Sequence, residues 1–162
     1  MQRIRIATVD DIPLIRELTY QVWPQTYRDI LTEAQIEYML DMMYSPSSLQ
    51  QQMQDGCRFI IVYQNEEPVG FASGQLINTT TGKLHKIYVI PAAQKTGAGK
   101  LLLQHVYDFI KSQGGTALQL QVNRHNNARY FYEKEGFEVI EEADFAIGNG
   151  YYMNDYVMEK KL

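Results

Sequence analysis

The sequence predicts an α/β (α+β) fold: a mixed, mostly antiparallel twisted sheet of about seven strands flanked by about four helices. Three observations carry this. The 162 residues suit one domain, 1–162, with no repeat or linker. Period-two and helical apolar patterns follow one another in the order β-α-α-β-β-β-α-β-α-β-β. Near the middle, Leu84 to Ile90 reads as a strand that enters a Gly-bearing turn and then an amphipathic helix.

Arg3-Ile4-Arg5-Ile6-Ala7 alternates as a first strand. Thr8 or Asp10 caps a helix with Ile12, Leu14, Ile15, Leu18 and Val22 inward; Pro13 is tolerated early in it and Pro24 ends it. Thr32-Glu33-Ala34-Gln35 resembles a capping box for a helix to Met43. Ser45-Pro46-Ser47 breaks the chain, and Ser48 to Gln54 is a short helix. Arg58–Tyr63, Pro68–Ile77 and Lys83–Ile90 form a meander, the second strand weakened by Gly70 and Gly74. Gly97–Ser112 is a helix stopped by Gly114-Gly115, Ala117–Val122 a strand, and Asn126–Lys134 a helix stopped by Gly136. Phe137–Ile140 and Tyr151–Glu159 are the last strands, around a loop at Gly148-Asn149-Gly150.

Composition narrows the function classes. Hydrophobic residues at 45% and charged residues at 21% are globular values. A net charge of −4 argues against a nucleic-acid partner and suits a cationic substrate. No run approaches the roughly 18 apolar residues of a membrane span, so no membrane partner is expected. Met1 to Ile6 carries Arg3 and Arg5 and does not read as a signal peptide. Cys57, the only cysteine, reads as a packed thiol; with no internal disulfide possible, a cytoplasmic location is expected. No His, Cys and Asp cluster has zinc-ligand spacing, so no metal is expected.

The turn is Gln94-x-x-Gly97-x-Gly99. A P-loop fails here, because Gln94 and Leu101 stand where Gly and Ser/Thr are required. A dinucleotide fingerprint fails because Leu102 replaces its third Gly. What remains is a helix start whose N–H groups from Thr96 to Lys100 favour an anion, with Lys95 and Lys100 beside them. A Gly-rich turn without a ligand would have the same pattern.

The surrounding residues decide between these. Ile87-Tyr88-Val89-Ile90-Pro91 followed by Gln94 to Gly99 resembles the central motif of the GNAT superfamily of acetyl-CoA-dependent N-acetyltransferases. Asn127-Ala128-Arg129-Tyr130-Phe131-Tyr132 through Gly136-Phe137 resembles the family's second motif. The resemblance implies splayed central strands and acetyl-CoA as co-substrate. It implies that the backbone of Ile87, Tyr88 and Val89 holds the pantetheine. Gln94, Lys95, Thr96, Gly97, Ala98, Gly99 and Lys100 would hold the pyrophosphate. Tyr132 matches the tyrosine that protonates the departing thiolate. His85 is nominated as base, alone or through water, on a strand face shared with Ile87 and Val89. His125 stands where many relatives carry a pantetheine-binding Asn; Asn123, Asn126, Asn127 or His125 itself would replace it, with Asn127 taken as the cofactor contact.

The acceptor is expected in the N-terminal half, where Trp23, Tyr27 and Tyr38 accompany Asp29, Glu33, Glu37 and Asp41. Aromatics beside carboxylates suit an alkylammonium. The Trp23-x-x-x-Tyr27 segment and the ending Asp155 to Lys160 loosely resemble PaiA-type spermidine/spermine acetyltransferases. A small polyamine-like or related amine is therefore the expected substrate. The alternatives are a protein N-terminal α-amine and a non-catalytic acyl-CoA sensor. A pocket closed by the Asn78–Gly82 or Gly148–Gly150 turn would favour the small amine, and an open groove the protein. A homodimer through the late strands is left open.

Overall fold

Seven strands form one sheet in the computed structural model, which describes residues 1–162. They are β1 (Gln2–Ile6), β2 (Arg58–Gln64), β3 (Glu67–Leu76), β4 (Thr81–Val89), β5 (Ala117–Asn123), β6 (Glu138–Gly148) and β7 (Tyr151–Lys161). Their spatial order is 1-2-3-4-5-7-6, and every pair is antiparallel except β4 with β5. Helices α1 (Ile12–Tyr27), α2 (Glu33–Tyr44) and α3 (Pro46–Gln54) cover one face. Helices α4 (Ala98–Ser112) and α5 (Ala128–Lys134) accompany the other. No helix is long and apolar enough to cross a membrane.

Each face has its own core. Leu102, Leu103, Val106 and Ile110 of α4 pack on Ile60, Val62, Leu84 and Leu118. Gly74 of β3 and Gly82 of β4 serve this contact, with Val106 3.0 Å from where a Cβ on Gly74 would sit. A Cβ on Gly82 would lie 2.6 Å from Ile110 Cδ1, so only glycine lets α4 sit this close. On the opposite face Ile15, Leu18, Trp23, Leu40 and Tyr44 pack on Phe59, Ile61 and Phe71.

Three local expectations change. Helix α1 does not stop at Pro24 but continues to Tyr27. Pro24 forfeits only the bond to the carbonyl of Tyr20, an exposed residue that water can reach, and buried Trp23 holds the chain against the core. The break at Ser45-Pro46-Ser47 falls on Ser45, extended between α2 and α3, but α3 starts earlier than Ser48: Ser45 Oγ accepts from the Ser48 N–H and Pro46 sits in the first turn. Strand β6 runs on to Gly148, well beyond Ile140. Glu141, Glu142 and Asp144 carry no strand-like apolar alternation, but an edge strand faces water and tolerates them. Cys57 is buried, and burial pushes its thiol pKa up.

Candidate active site

Strands β4 and β5 pair only from Thr81 to Leu84 and from Ala117 to Leu120. Beyond these residues they diverge, and from Lys86 to Val89 strand β4 has a ladder partner only on its β3 side. The gap leaves the β4 main chain over Ile87, Tyr88 and Val89 without a strand neighbour on its β5 side. Buried peptide groups seek partners, so this edge suits an extended amide-bearing chain.

At one end of the gap lies the turn. Gly97 has φ +91° and Lys95 φ +64°, which turns the chain sharply before α4. No main-chain acceptor takes the N–H groups of Thr96, Gly97, Ala98, Gly99 or Lys100. No side chain caps this helix start. Gln94, Lys95 and Lys100 are exposed beside it. The result is a cluster of free donors at the positive end of a 15-residue helix, a cradle for phosphate. Its position is fixed from behind. Gln2 Nε2 donates to the Thr96 carbonyl at 3.2 Å. Gly99 abuts Phe131 of α5, 3.4 Å from where a Cβ would sit. Gln94 Nε2 donates to the Val89 carbonyl at 3.2 Å, tying turn to strand.

On the α1–α2 side of the gap lies a cavity of about 160 Å3. Trp23 and Tyr27 wall it from α1, Gln35 and Met39 from α2, Lys86 and Tyr88 from β4, and Met153 and Asp155 from β7. The β6–β7 hairpin is strapped over it: Gln35 Nε2 donates to the Tyr152 carbonyl and Tyr38 Oη to the Ile147 carbonyl, both at 2.7 Å. Met153 and Asp155 of this hairpin reach the lining, whereas neither the Gly148–Gly150 tip nor the Asn78–Gly82 turn does. Three tyrosines line the cavity, Tyr27, Tyr44 and Tyr88, with the Tyr27 and Tyr88 hydroxyls 3.4 Å apart. Tyr132 lies between Phe131 and Phe137, with ring centroids at 5.5 and 5.8 Å. Burial, and then the neighbouring Tyr27, push its pKa up, so its hydroxyl keeps its proton.

His85 occupies a β-bulge. The register passes from Ser73↔Lys86 to Gly74↔Leu84, leaving His85 unmatched. The extra residue shifts the alternation, so His85 does not share the face of Ile87 and Val89. Instead it lines the cavity with Lys83 and Lys86, and its Nε2 lies 3.0 Å from Gln75 Oε1. Gln75 is held in turn by the Asp55 carbonyl, which accepts from its Nε2 at 2.8 Å. His85 is exposed to solvent on one side; the hydration it loses on the other, then Lys83 and Lys86, push its pKa down to about 4. The ring is therefore neutral at neutral pH: its Nε2–H donates to Gln75 Oε1, and the Nδ1 lone pair is free for proton relay.

Other expected residues fall less neatly. Tyr38 does not line the cavity; its hydroxyl is consumed by the hairpin and its ring packs on Tyr151 at 5.2 Å. Asp29, Glu33, Glu37 and Asp41 are all exposed and none reaches the lining. Asn127 is exposed at the start of α5 with no capping bond. Asn123 and Asn126 spend their side-chain oxygens on the N–H groups of His125 and Ala128. His125 is exposed, as is His105. Asp155, in the Tyr151–Tyr156 tail that the sequence offers as a further contribution to the amine site, supplies the carboxylate inside, whereas the buried Lys86 was passed over. The signal was present in both: a charge amid apolar strand residues.

A main-chain cradle and a cavity walled by side chains meet at one gap, an arrangement that suits an acyltransferase. The family model for the acetyltransferase (GNAT) domain matches residues 27–160, and the chain belongs to that family. It is similar to the spermidine N(1)-acetyltransferase of Thermoplasma acidophilum, 27% identical over 98% of this chain and 96% of that protein. It is also similar to the [ribosomal protein bS18]-alanine N-acetyltransferase of Haemophilus influenzae, 36% identical over 48% of this chain and 53% of that one. The crystal structure of the PaiA N-acetyltransferase from T. acidophilum in complex with coenzyme A superposes with a TM-score of 0.85. It is 27% identical and covers 100% of this chain and 99% of that one. The ribosomal-protein-S18-alanine N-acetyltransferase of Escherichia coli shares the fold, with a TM-score of 0.74 at 20% identity over 99% of this chain and 94% of that one.

Proposed function

We propose that this acetyltransferase moves the acetyl group of acetyl-CoA to the primary amine of a small molecule, by direct attack within a ternary complex. The observation that carries this reading is the cavity at the splay, walled by aromatics and covered by the hairpin that α2 holds down. The enclosure favours a small amine over a folded protein's N-terminus. A polyamine-like or related amine is the class that the Thermoplasma relative supports.

The main chain from Ile87 to Val89 pairs with the pantetheine amides. The N–H groups from Thr96 to Lys100 hold the pyrophosphate, with Lys95 and Lys100 adding charge, and Asn127 borders the same channel. Trp23 and Tyr27 shape the amine's seat. The amine nitrogen bonds to the thioester carbon as the carbon–sulfur bond breaks. Tyr132 donates its hydroxyl proton to the sulfur. The proton that the amine sheds leaves by way of His85 or a water beside it, and solvent returns one to Tyr132. Two protons move and none is created.

The test is a screen of the full chain with acetyl-CoA against polyamines, arylalkylamines, amino acids and peptides. Acetylation of at least one small amine at over about ten times the peptide rate is expected. Preference for peptide N-termini would replace this reading with protein α-amine acetylation, for which the Haemophilus relative speaks. Binding of acetyl-CoA with no acceptor in the panel would point to a sensor.

A further inference from the structure

Two opposite charges inside the cavity have no protein partner. Asp155 is 3% exposed and Lys86 is 8% exposed, and both line the cavity. Neither side chain belongs to any of the protein's hydrogen bonds or to its five ion pairs. Lys86 Nζ contacts only the face of Tyr44, 4.8 Å from the ring centroid. Unpaired buried charge is costly, and a chain that keeps two such groups in one cavity has a use for them there.

They come from different strands of the cavity wall. Asp155 on β7 is paired across the sheet with Asn123, where β5 ends, and its charge is felt by Tyr27. There Tyr27 and Tyr132 influence one another and the thioester would arrive. Lys86 lies against Tyr44, the ring on which Trp23 also packs at 5.6 Å. The indole N–H of Trp23 is buried without an acceptor. Lys83 lines the same cavity. The lining thus holds one carboxylate, from β7, and two ammonium groups, from β4.

We propose that the acceptor carries a negatively charged group, a carboxylate being the simplest, in addition to the amine that is acetylated. Asp155 receives the amine end and Lys86, with Lys83, receives the anion. A polyamine would set further ammonium groups against these lysines, whereas an amino carboxylate meets complementary charge at each end. The proposal rests on the acetyl-transfer reading above and narrows its substrate class.

The experiment compares matched acceptors with the full chain and acetyl-CoA. Short α- and ω-amino carboxylates are set against the alkylamines that lack only the carboxylate, with spermidine alongside. The best amino carboxylate is expected to exceed its matched amine in kcat/KM by at least about ten-fold, the scale of one charge-assisted hydrogen bond. Lys86→Met is expected to erase that preference, read as the ratio of the two kcat/KM values measured in the same variant. Lys83→Met reduces it in part and serves if Lys86→Met does not fold. Higher kcat/KM for spermidine or a plain alkylamine in the unaltered protein overturns the proposal and leaves acetyl transfer intact. A preference that survives both lysine variants also overturns it. Acetyl-CoA binding with no amine acetylated removes the acetyl-transfer reading, and this inference with it.

Discussion

The two ends of the gap are built on opposite plans. The donor end is consecutive and made of main chain: Gln94 to Lys100 offers N–H groups whose usefulness depends on glycine and on a helix start. The acceptor end draws side chains from α1, α2, β4, β5 and β7, brought together only by folding. A main-chain site tolerates changes of side chain but not of φ. A side-chain site tolerates changes of φ far away but not of a single charge. Donor and acceptor specificity should therefore be separable by mutation.

The largest expected effect lies where the two ends meet. Tyr132→Phe should lower kcat by about 100-fold or more, within the range for a lost general acid. Acetyl-CoA affinity, read by calorimetry, should stay within a few-fold; equal loss of both would make Tyr132 a packing residue. Next comes the acceptor charge. Burial raises the Asp155 pKa to about 6, with Arg124 and Lys83 pulling it back. The folded protein thus holds a proton that the unfolded chain releases near 3.8. Stability contributed by that proton is full below 3.8 and lost as pH climbs through 6. Asp155→Asn should therefore be more stable than the parent at pH 7, by about 2–3 kcal/mol, with the gap closing towards pH 4. Denaturant melts at both values would read it, and a destabilised variant at pH 7 would mean that Asp155 is paired.

On the donor side, Gly97→Val forces a β-branched residue to φ +91° although nothing crowds its Cβ. The strain of about 1–2 kcal/mol should raise the KM for acetyl-CoA by about ten-fold and leave the choice of amine unchanged. The smallest effect is expected of Tyr38→Phe. It removes one hydrogen bond to the Ile147 carbonyl, worth about 1 kcal/mol, and loosens the cover of the acceptor cavity. The amine's KM should rise by a few-fold with the acetyl-CoA KM unmoved; a shift in the latter would show that the two ends are coupled.

The same contrast explains what could be read in the sequence. The order of elements, the turn and the Tyr132 segment were legible because each is local: a period, a glycine spacing, a motif. The acceptor end was legible only in part. Trp23 and Tyr27 reach the cavity as expected, but Tyr38, on the next helix, turns to the hairpin. The carboxylates Asp29, Glu33, Glu37 and Asp41 looked like an amine site and form a solvated surface. The carboxylate inside comes from Asp155, in a strand near the end of the chain. His85 lines the cavity from a different face than the alternation predicts, because a bulge breaks period two and leaves no mark in composition. Pro24 and the acidic run of β6 misled for a related reason: solvent satisfies what the local rule treats as an error.

The hairpin is fastened to α2 through the carbonyls of Ile147 and Tyr152, groups that every residue possesses. The latch is thus indifferent to which side chains the hairpin bears. Met153, which lines the cavity one residue beyond the Tyr152 anchor, can be exchanged without removing either carbonyl. A lineage of such enzymes could reshape what the chamber admits by altering one strand's inward residues, while the cover and the donor grip carry on unchanged.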